Sequence, residues 1–269
     1  MTSFRRRPPG EAPMVMGILN VTPDSFSDGG MWTDPRDAAR HAFEMEDAGA
    51  DVIDVGAEST RPSATPVAAS EEISRLAPVL REIAPSLSIP VSVDTMKPEV
   101  AETAAGLGAS IVNDVYGLRA PGMMGLCAET GMAVVIMHMP CEPSTVHSFE
   151  MGEGYMREIR AFLQSRAQAA VDAGIRRDGI ILDPGVGFGK TPEQNAVISR
   201  SSRYFSGGFP VLMATSRKRF LSHAYPDLSR EEASIRSACE AAAWGADMVR
   251  VHDVAAAASA LKGAIRRRL

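Results

Sequence analysis

The chain has 269 residues, with 28 Lys and Arg against 33 Asp and Glu, a net charge of −5. This length holds one large domain, a composition 45 % apolar and 23 % charged excludes wholesale disorder, and so mild an acidic balance gives no global attraction for nucleic acid. No apolar run approaches the roughly 18 residues that a membrane span needs, and the 3 cysteines, none of them in a CxxC pair, point to reduced thiols in a cytoplasmic protein and not to a zinc or disulfide scaffold.

Residues 1–13 carry Arg5, Arg6 and Arg7 followed by prolines, without the apolar stretch of a signal peptide, and read as a flexible leader before a single domain over 14–269. Short β-branched runs then alternate with Ala- and Glu-rich segments. The runs predict strands over 15–20, 51–56, 90–95, 110–115, 133–139, 179–183, 210–216 and 247–252, each followed by a helix. They are nearly continuous in Val, Ile, Leu and Met, as parallel strands buried on both faces should be. Gly49, Gly108 and Gly245 each precede an Ala and a polar residue at the start of a strand, the mark of a helix ended by a left-handed glycine. Eight such units in about 250 residues is the arithmetic of a (β/α)8 TIM barrel.

In a barrel the strand C-termini carry the chemistry, and here nearly every predicted strand ends in a polar residue. Asn20 closes the first; Glu58, Ser59, Thr60 and Arg61 follow the second; Asp94, Asn113 and Asp183 close the third, fourth and sixth; Ser216, Arg217, Lys218, Arg250 and His252 end the last two. A lone Asp after a strand is more often a helix cap than a catalytic group, but seven ends converging on one face argue for a site. Asp94, Asp183 and Asn113 suit a flat heterocycle edged with N–H donors. Arg61, Lys218, Arg250 and His252 suit a phosphorylated group, and Asn20 offers an oxygen to a hard cation such as Mg2+. The run DPGVGFGKT over 183–191 has Pro184 where a Walker loop needs its first glycine, so its glycines read as room for close backbone approach to a ligand, with Phe188 as an aromatic wall. His138, inside an apolar strand, reads as a satisfied core histidine.

The strings themselves carry a resemblance. MGILNVTPDSFSDGG (16–30), DVGAESTRP (54–62), SVDT (92–95), NDVYG (113–117), DPGVGFGKT (183–191), SRKRF (216–220) and VRVHD (249–253) resemble, in order, the dihydropteroate synthase family. Members are TIM barrels that join 6-hydroxymethyl-7,8-dihydropterin diphosphate to p-aminobenzoate in folate synthesis, the step that sulfonamides block. The resemblance implies a pterin site of Asp94, Asn113, Met137, Asp183, Phe188 and Lys218, and a diphosphate site of Asn20, Arg61, Arg250 and His252 with Mg2+ held at Asn20. It also implies a p-aminobenzoate site of Thr60, Pro62, Phe188, Ser216 and Lys218. Asp94, Lys218, Arg250 and His252 are the expected catalytic groups, joined by Asp24 from a loop that closes over the substrates. A homodimer is the family expectation. Ala57 and Ala214 stand where the family usually has glycine, and their methyls are expected to crowd the pocket. They leave open a pterin-binding paralogue without the condensation. A folate-dependent methyltransferase domain is a third reading, which has no need of the SRK and RVH cations.

Overall fold

The computed structural model describes residues 2–8, 10–22, 35–59 and 66–266. Eight parallel strands, β1 (Met14–Asn20), β2 (Val52–Gly56), β3 (Val91–Asp94), β4 (Ile111–Asp114), β5 (Ala133–Met137), β6 (Ile180–Asp183), β7 (Leu212–Met213) and β8 (Met248–Val251), run in the order β6-β5-β4-β3-β2-β1-β8-β7. A parallel bridge between Leu182 and Val211 joins the two ends and closes the (β/α)8 barrel. The outer layer holds α1 (Pro35–Asp47), α2 (Ala69–Ile83), α3 (Pro98–Gly106), α4 (Met123–Thr130), α5 (Tyr155–Asp172), α6 (Pro192–Ser199), α7 (Ser202–Phe205), α8 (Phe220–Ala224), α9 (Arg230–Ala243) and α10 (Val254–Arg266). Gly49, Gly108 and Gly245 have φ of 99°, 100° and 89°, the left-handed conformation that frees the chain from a helix and that a Cβ disfavours.

Strand alternation divides the core in two. Val15, Leu19, Ile53, Val55, Val93, Val112, Val134, Ile136, Leu182 and Val249 pack against the helices. Met16, Val52, Ile111, Val135, Ile181 and Met248 fill the barrel interior. β7 is shorter than the expected 210–216, because Pro210 has no N–H to give a ladder and Ser216 and Arg217 already form a turn.

The first residues are not the loose leader that their arginines predict. Phe4 is 7 % exposed and belongs to the interior cluster; its N–H donates to the Asp178 carbonyl at 2.6 Å. The Thr2 hydroxyl meets the Ser110 hydroxyl at 2.9 Å, the Arg7 amide donates to Asp247 Oδ1 at 2.6 Å, and Arg6 pairs with Asp247 Oδ2 at 3.3 Å. The Arg7 guanidinium reaches the Ala242 and Ala246 carbonyls at the C-terminal end of α9, where the helix dipole favours a cation. Ser110, Asp178 and Asp247 all lie just before strands, so this segment crosses the N-terminal end of the barrel and Phe4 stops it.

Candidate active site

The ladders set the C-terminal rim. Asn20 pairs in register with Gly56, Gly56 with Asp94 and Asp94 with Asn113, so four residues from four strands stand at one height. Met137 pairs with Asp183 farther round. Inward parity does the rest: Asp54 and Gly56 share the side of Val52, and Arg250 shares that of Met248.

Arg250 is the centre of a buried charge network. Its Nε donates to Asp54 Oδ2 at 2.6 Å and its Nη2 to Asp94 Oδ2 at 2.7 Å. Two carboxylates raise its pKa against the opposing effect of burial. These bonds use two of the five N–H donors of a guanidinium. Asp94 is pushed up to about 7, first by burial and then by the neighbouring Asp54 charge, with Arg250 pulling the other way. Asp54 Oδ2 also accepts from Asn113 Nδ2 at 2.9 Å. Only the NH2 of an amide can donate to a carboxylate, so the Asn113 carbonyl oxygen is left as an acceptor for a ligand donor.

Asp183 is 3 % exposed, accepts from the Gly185 N–H at 2.7 Å, and has its pKa raised by burial against the pull of Lys218. Burial lowers Lys218 to about 8, with Asp183 opposing. The Lys218 Nζ donates to the Val186 carbonyl at 2.5 Å and lies 5.1 Å from the centroid of Phe188. Val115, Met137, Met139, Val146 and Phe188 form a separate apolar cluster at this mouth. A flat apolar wall beside an amide oxygen, a carboxylate and an ammonium is a site for a heteroaromatic ring with a polar edge.

Ser216 and His252 meet across β7 and β8: the Ser216 Oγ lies 2.9 Å from His252 Nδ1 and accepts the His252 backbone N–H at 3.3 Å. Between Ser216 and Lys218 the chain adopts φ 59° at Arg217, a left-handed conformation that a side chain disfavours. The strain is held from α9, where Ser234 Oγ accepts the Arg217 N–H at 2.9 Å and Arg230 donates to the Arg217 carbonyl at 3.0 Å. This turn brings two residues of the SRK string to the same mouth, the kind of stored strain that marks functional sites.

The run after β6 is not a phosphate loop. Lys190, 8 % exposed, turns its ammonium onto the backbone carbonyls of Gly185 and Phe188. Gly185 has φ 70°, and a Cβ there would lie 2.0 Å from the His138 carbonyl oxygen, so this glycine serves both conformation and close approach. His138 is 4 % exposed and has Lys190 as partner at 3.1 Å, the satisfied core histidine that its strand implied.

Among the described residues, the structure brings Asn20, Asp94, Asn113, Met137, Asp183, Phe188, Ser216, Lys218, Arg250 and His252 to one end of the barrel. Asp24, Thr60, Arg61 and Pro62 lie outside the described residues. The methyl of Ala57 does not narrow the pocket as expected: it is fully buried in the cluster between sheet and helices. Ala214 belongs to the interior cluster and keeps the expectation of crowding. Asp54 escaped the strand-end reading because it sits inside β2; a carboxylate at the inward parity of an otherwise apolar strand was the available signal. Among the described residues no group of three or more His, Cys, Asp or Glu is placed to hold a metal ion, and no helix is long and apolar enough to cross a membrane.

A barrel with a charged, aromatic-walled C-terminal mouth is the frame of a small-molecule enzyme, and the pattern of the pterin binding enzyme family matches residues 16–252. The dihydropteroate synthase of Bacillus subtilis is 44 % identical over 248 residues, covering 91 % of this chain and 85 % of its own. The Xanthomonas albilineans dihydropteroate synthase with 4-aminobenzoic acid superposes with a TM-score of 0.89 at 39 % identity, over 99 % of both chains. The same enzyme in complex with 7,8-dihydropteroate gives 0.84 at 37 %, over 98 % of this chain and 96 % of that one. The chain belongs to the dihydropteroate synthases of the pterin-binding enzyme family.

Proposed function

We propose that this chain condenses 6-hydroxymethyl-7,8-dihydropterin diphosphate with p-aminobenzoate to give 7,8-dihydropteroate and diphosphate, in folate biosynthesis. The observation that carries the reading is the placement of Asn113, Asp183 and Lys218 beside the Met137 and Phe188 wall, with Asn113 and Arg250 converging on the same Asp54 oxygen. The Asn113 oxygen and the Asp183 carboxylate accept the ring N–H and amino donors, and Lys218 supplies a donor to the ring's acceptors. Heterolysis of the methylene C–O bond sends its electron pair out with the diphosphate. Arg250 and His252 neutralise that leaving group while Asp94 supports the positive charge left on the pterin. The aromatic amine then attacks the methylene, and its proton leaves to diphosphate or water. Asp24, Thr60, Arg61 and Pro62 are assigned from the sequence alone: Asp24 to the cation, Arg61 to the diphosphate, and Thr60 and Pro62, with Ser216, to the p-aminobenzoate that a sulfonamide would displace.

The residues present fit Mg2+ as a shared ion. Asn20 Oδ1 and Asp94 Oδ2, the latter also bonded by Arg250, flank the side-chain-free position of Gly56 at the rim between β1 and β3. An all-oxygen set so sparse suits an ion that keeps water and takes the substrate's phosphates as ligands. Asn20 would hold it, and when bound it would supply charge neutralisation to the diphosphate.

Incubation with the pterin diphosphate, Mg2+ and p-aminobenzoate tests the proposal: diphosphate and dihydropteroate are expected, and the absence of both overturns it. Calorimetry with Asp183→Ala tests the pocket, since unchanged affinity for the pterin diphosphate would remove Asp183 from it.

A homodimer through the α6, α8 and α9 side is part of the same reading. Val197 on α6 and Leu228 and Trp244 beside the two ends of α9 are 48 %, 41 % and 54 % exposed, large apolar groups of the kind that an interface covers. Sedimentation should give a dimer that Trp244→Glu weakens. A cytoplasmic location agrees with three cysteines that remain free thiols.

A further inference from the structure

The arc from Asp183 to Lys190 is gripped by two lysines from opposite sides. On the pocket side, Lys218 Nζ holds the Val186 carbonyl at 2.5 Å. On the buried side, Lys190 Nζ holds the Gly185 and Phe188 carbonyls at 2.8 and 3.0 Å, and it lies 3.1 Å from His138 Nδ1 and 3.4 Å from the His138 carbonyl. Left-handed backbone at Gly185, Gly187 and Gly189, with φ of 70°, 87° and 65°, turns neighbouring carbonyls to opposite sides of the arc, which a run of side-chain residues would not do.

An ammonium only donates, so the ring nitrogen facing it must present its lone pair. His138 is therefore neutral, with its proton on Nε2. Burial, the Lys190 charge and Arg119 keep it so, holding its pKa down to about 2. Lys190 itself is lowered to about 7 by burial; Asp183, Lys218 and Cys141 are the other titratable groups that face it. A buried cation meeting four converging acceptors is a clamp with a defined geometry, and a buried group so satisfied is costly to remove.

We propose that Lys190 is a positioning residue of the pterin pocket, which holds the 185–188 arc from beneath so that the Phe188 wall and the Val186 anchor of Lys218 stand where the ring edge meets them. This rests on the pterin reading of the pocket. Lys190 acts through Phe188 and Lys218, and its own ammonium is directed away from the mouth onto the backbone.

The test is Lys190→Met, which keeps the length and apolar stem of the side chain and removes the charge. The KM and the calorimetric Kd for the pterin diphosphate should both rise roughly tenfold, the effect of losing charge-assisted hydrogen bonds, while kcat falls by a smaller factor. A merely structural role would lower the melting temperature without this split. In wild-type protein labelled at histidine with 15N, one ring should show a bare, hydrogen-bonded Nδ1 and a protonated Nε2 at pH 5 to pH 6, where Lys190 is an ammonium; Lys190→Met should remove the hydrogen-bond shift from Nδ1. Should Lys190→Met not fold, His138→Leu removes one acceptor and should raise the pterin KM in the same direction by less. Unchanged pterin affinity in an active Lys190→Met, or in His138→Leu where that variant carries the test, overturns the proposal alone, as does a ring at position 138 protonated on Nδ1. A wild-type protein that neither binds nor turns over the pterin diphosphate removes the pterin reading and this proposal together.

Discussion

Asp54→Asn isolates the charge beneath the site from its shape. Arg250 Nε at 2.6 Å and Asn113 Nδ2 at 2.9 Å both converge on Asp54 Oδ2, so an amide with its oxygen in that place keeps both contacts. Its NH2 then occupies the position of Oδ1, which is buried and has no hydrogen-bond partner. Two effects add: charge-assisted bonds fall to neutral ones, roughly 1–2 kcal/mol, and a buried NH2 is left unsatisfied, roughly 1–3 kcal/mol. A loss of about 2–5 kcal/mol against a usual total of about 5–15 kcal/mol leaves a folded protein over most of that range. Urea denaturation followed by fluorescence measures it. The Asp54 charge also helps to raise Asp94, so the variant should shift the acid limb of the kcat/KM profile to lower pH. Arg250, left with one carboxylate and one neutral amide oxygen, should be held less firmly, which lowers kcat/KM by roughly tenfold. Stability within about 0.5 kcal/mol of wild type, with an unshifted acid limb, would refute the network.

Three further outcomes are expected. Phe4→Ala should destabilise by about 3–5 kcal/mol, the usual effect of emptying a buried Phe site, with KM values unchanged because the plug lies at the far end from the mouth; a neutral result in thermal melts would return residues 2–8 to the status of a loose leader. Ala57→Gly should lower stability by about 1 kcal/mol without altering substrate affinity, whereas Ala214→Gly should change the pterin KM; the reverse pattern in steady-state kinetics would contradict the assignment of their methyls to opposite faces. His138 has a folded pKa near 2 against 6.5 for the unfolded chain, so its contribution to stability is present above 6.5 and is lost as pH falls towards 2. The stability advantage of wild type over His138→Gln should shrink by about 2 kcal/mol between pH 7 and pH 5; a pH-independent difference in urea titrations would show that the ring protonates while folded.

Most of the barrel could be read from the chain because buried parallel strands leave an unbroken apolar record. The eight expected runs match the eight strands to within one residue at each end except where β5 stops at Met137 and where β7 yields to the SRK turn. The rim residues were legible for a related reason: strand C-termini are the one place in such a fold where polar groups are in demand for chemistry. Asp54 and Lys190 were less so: the inward parity of a carboxylate in an apolar strand marks Asp54 as unusual without naming its partner, and nothing local distinguishes a lysine after glycines. Their meaning comes from partners 196 residues away in Arg250 and 52 away in His138. Phe4 was hidden in the same way, among arginines that suggest solvent, while its hydrogen-bond partner is Asp178.

The stopper at the N-terminal end has an electrostatic consequence. Below Asp54 and Arg250 the described interior is mainly hydrocarbon, from Met16 and Ile111 down to Phe4, with the buried Ser92 hydroxyl level with Asp54, so the field of the site charges meets high dielectric chiefly towards the mouth. Counter-ions reach those charges only from that side. Salt should therefore slow the approach of an anionic substrate far more than it weakens the complex once seated, since the barrel's own walls do the insulating.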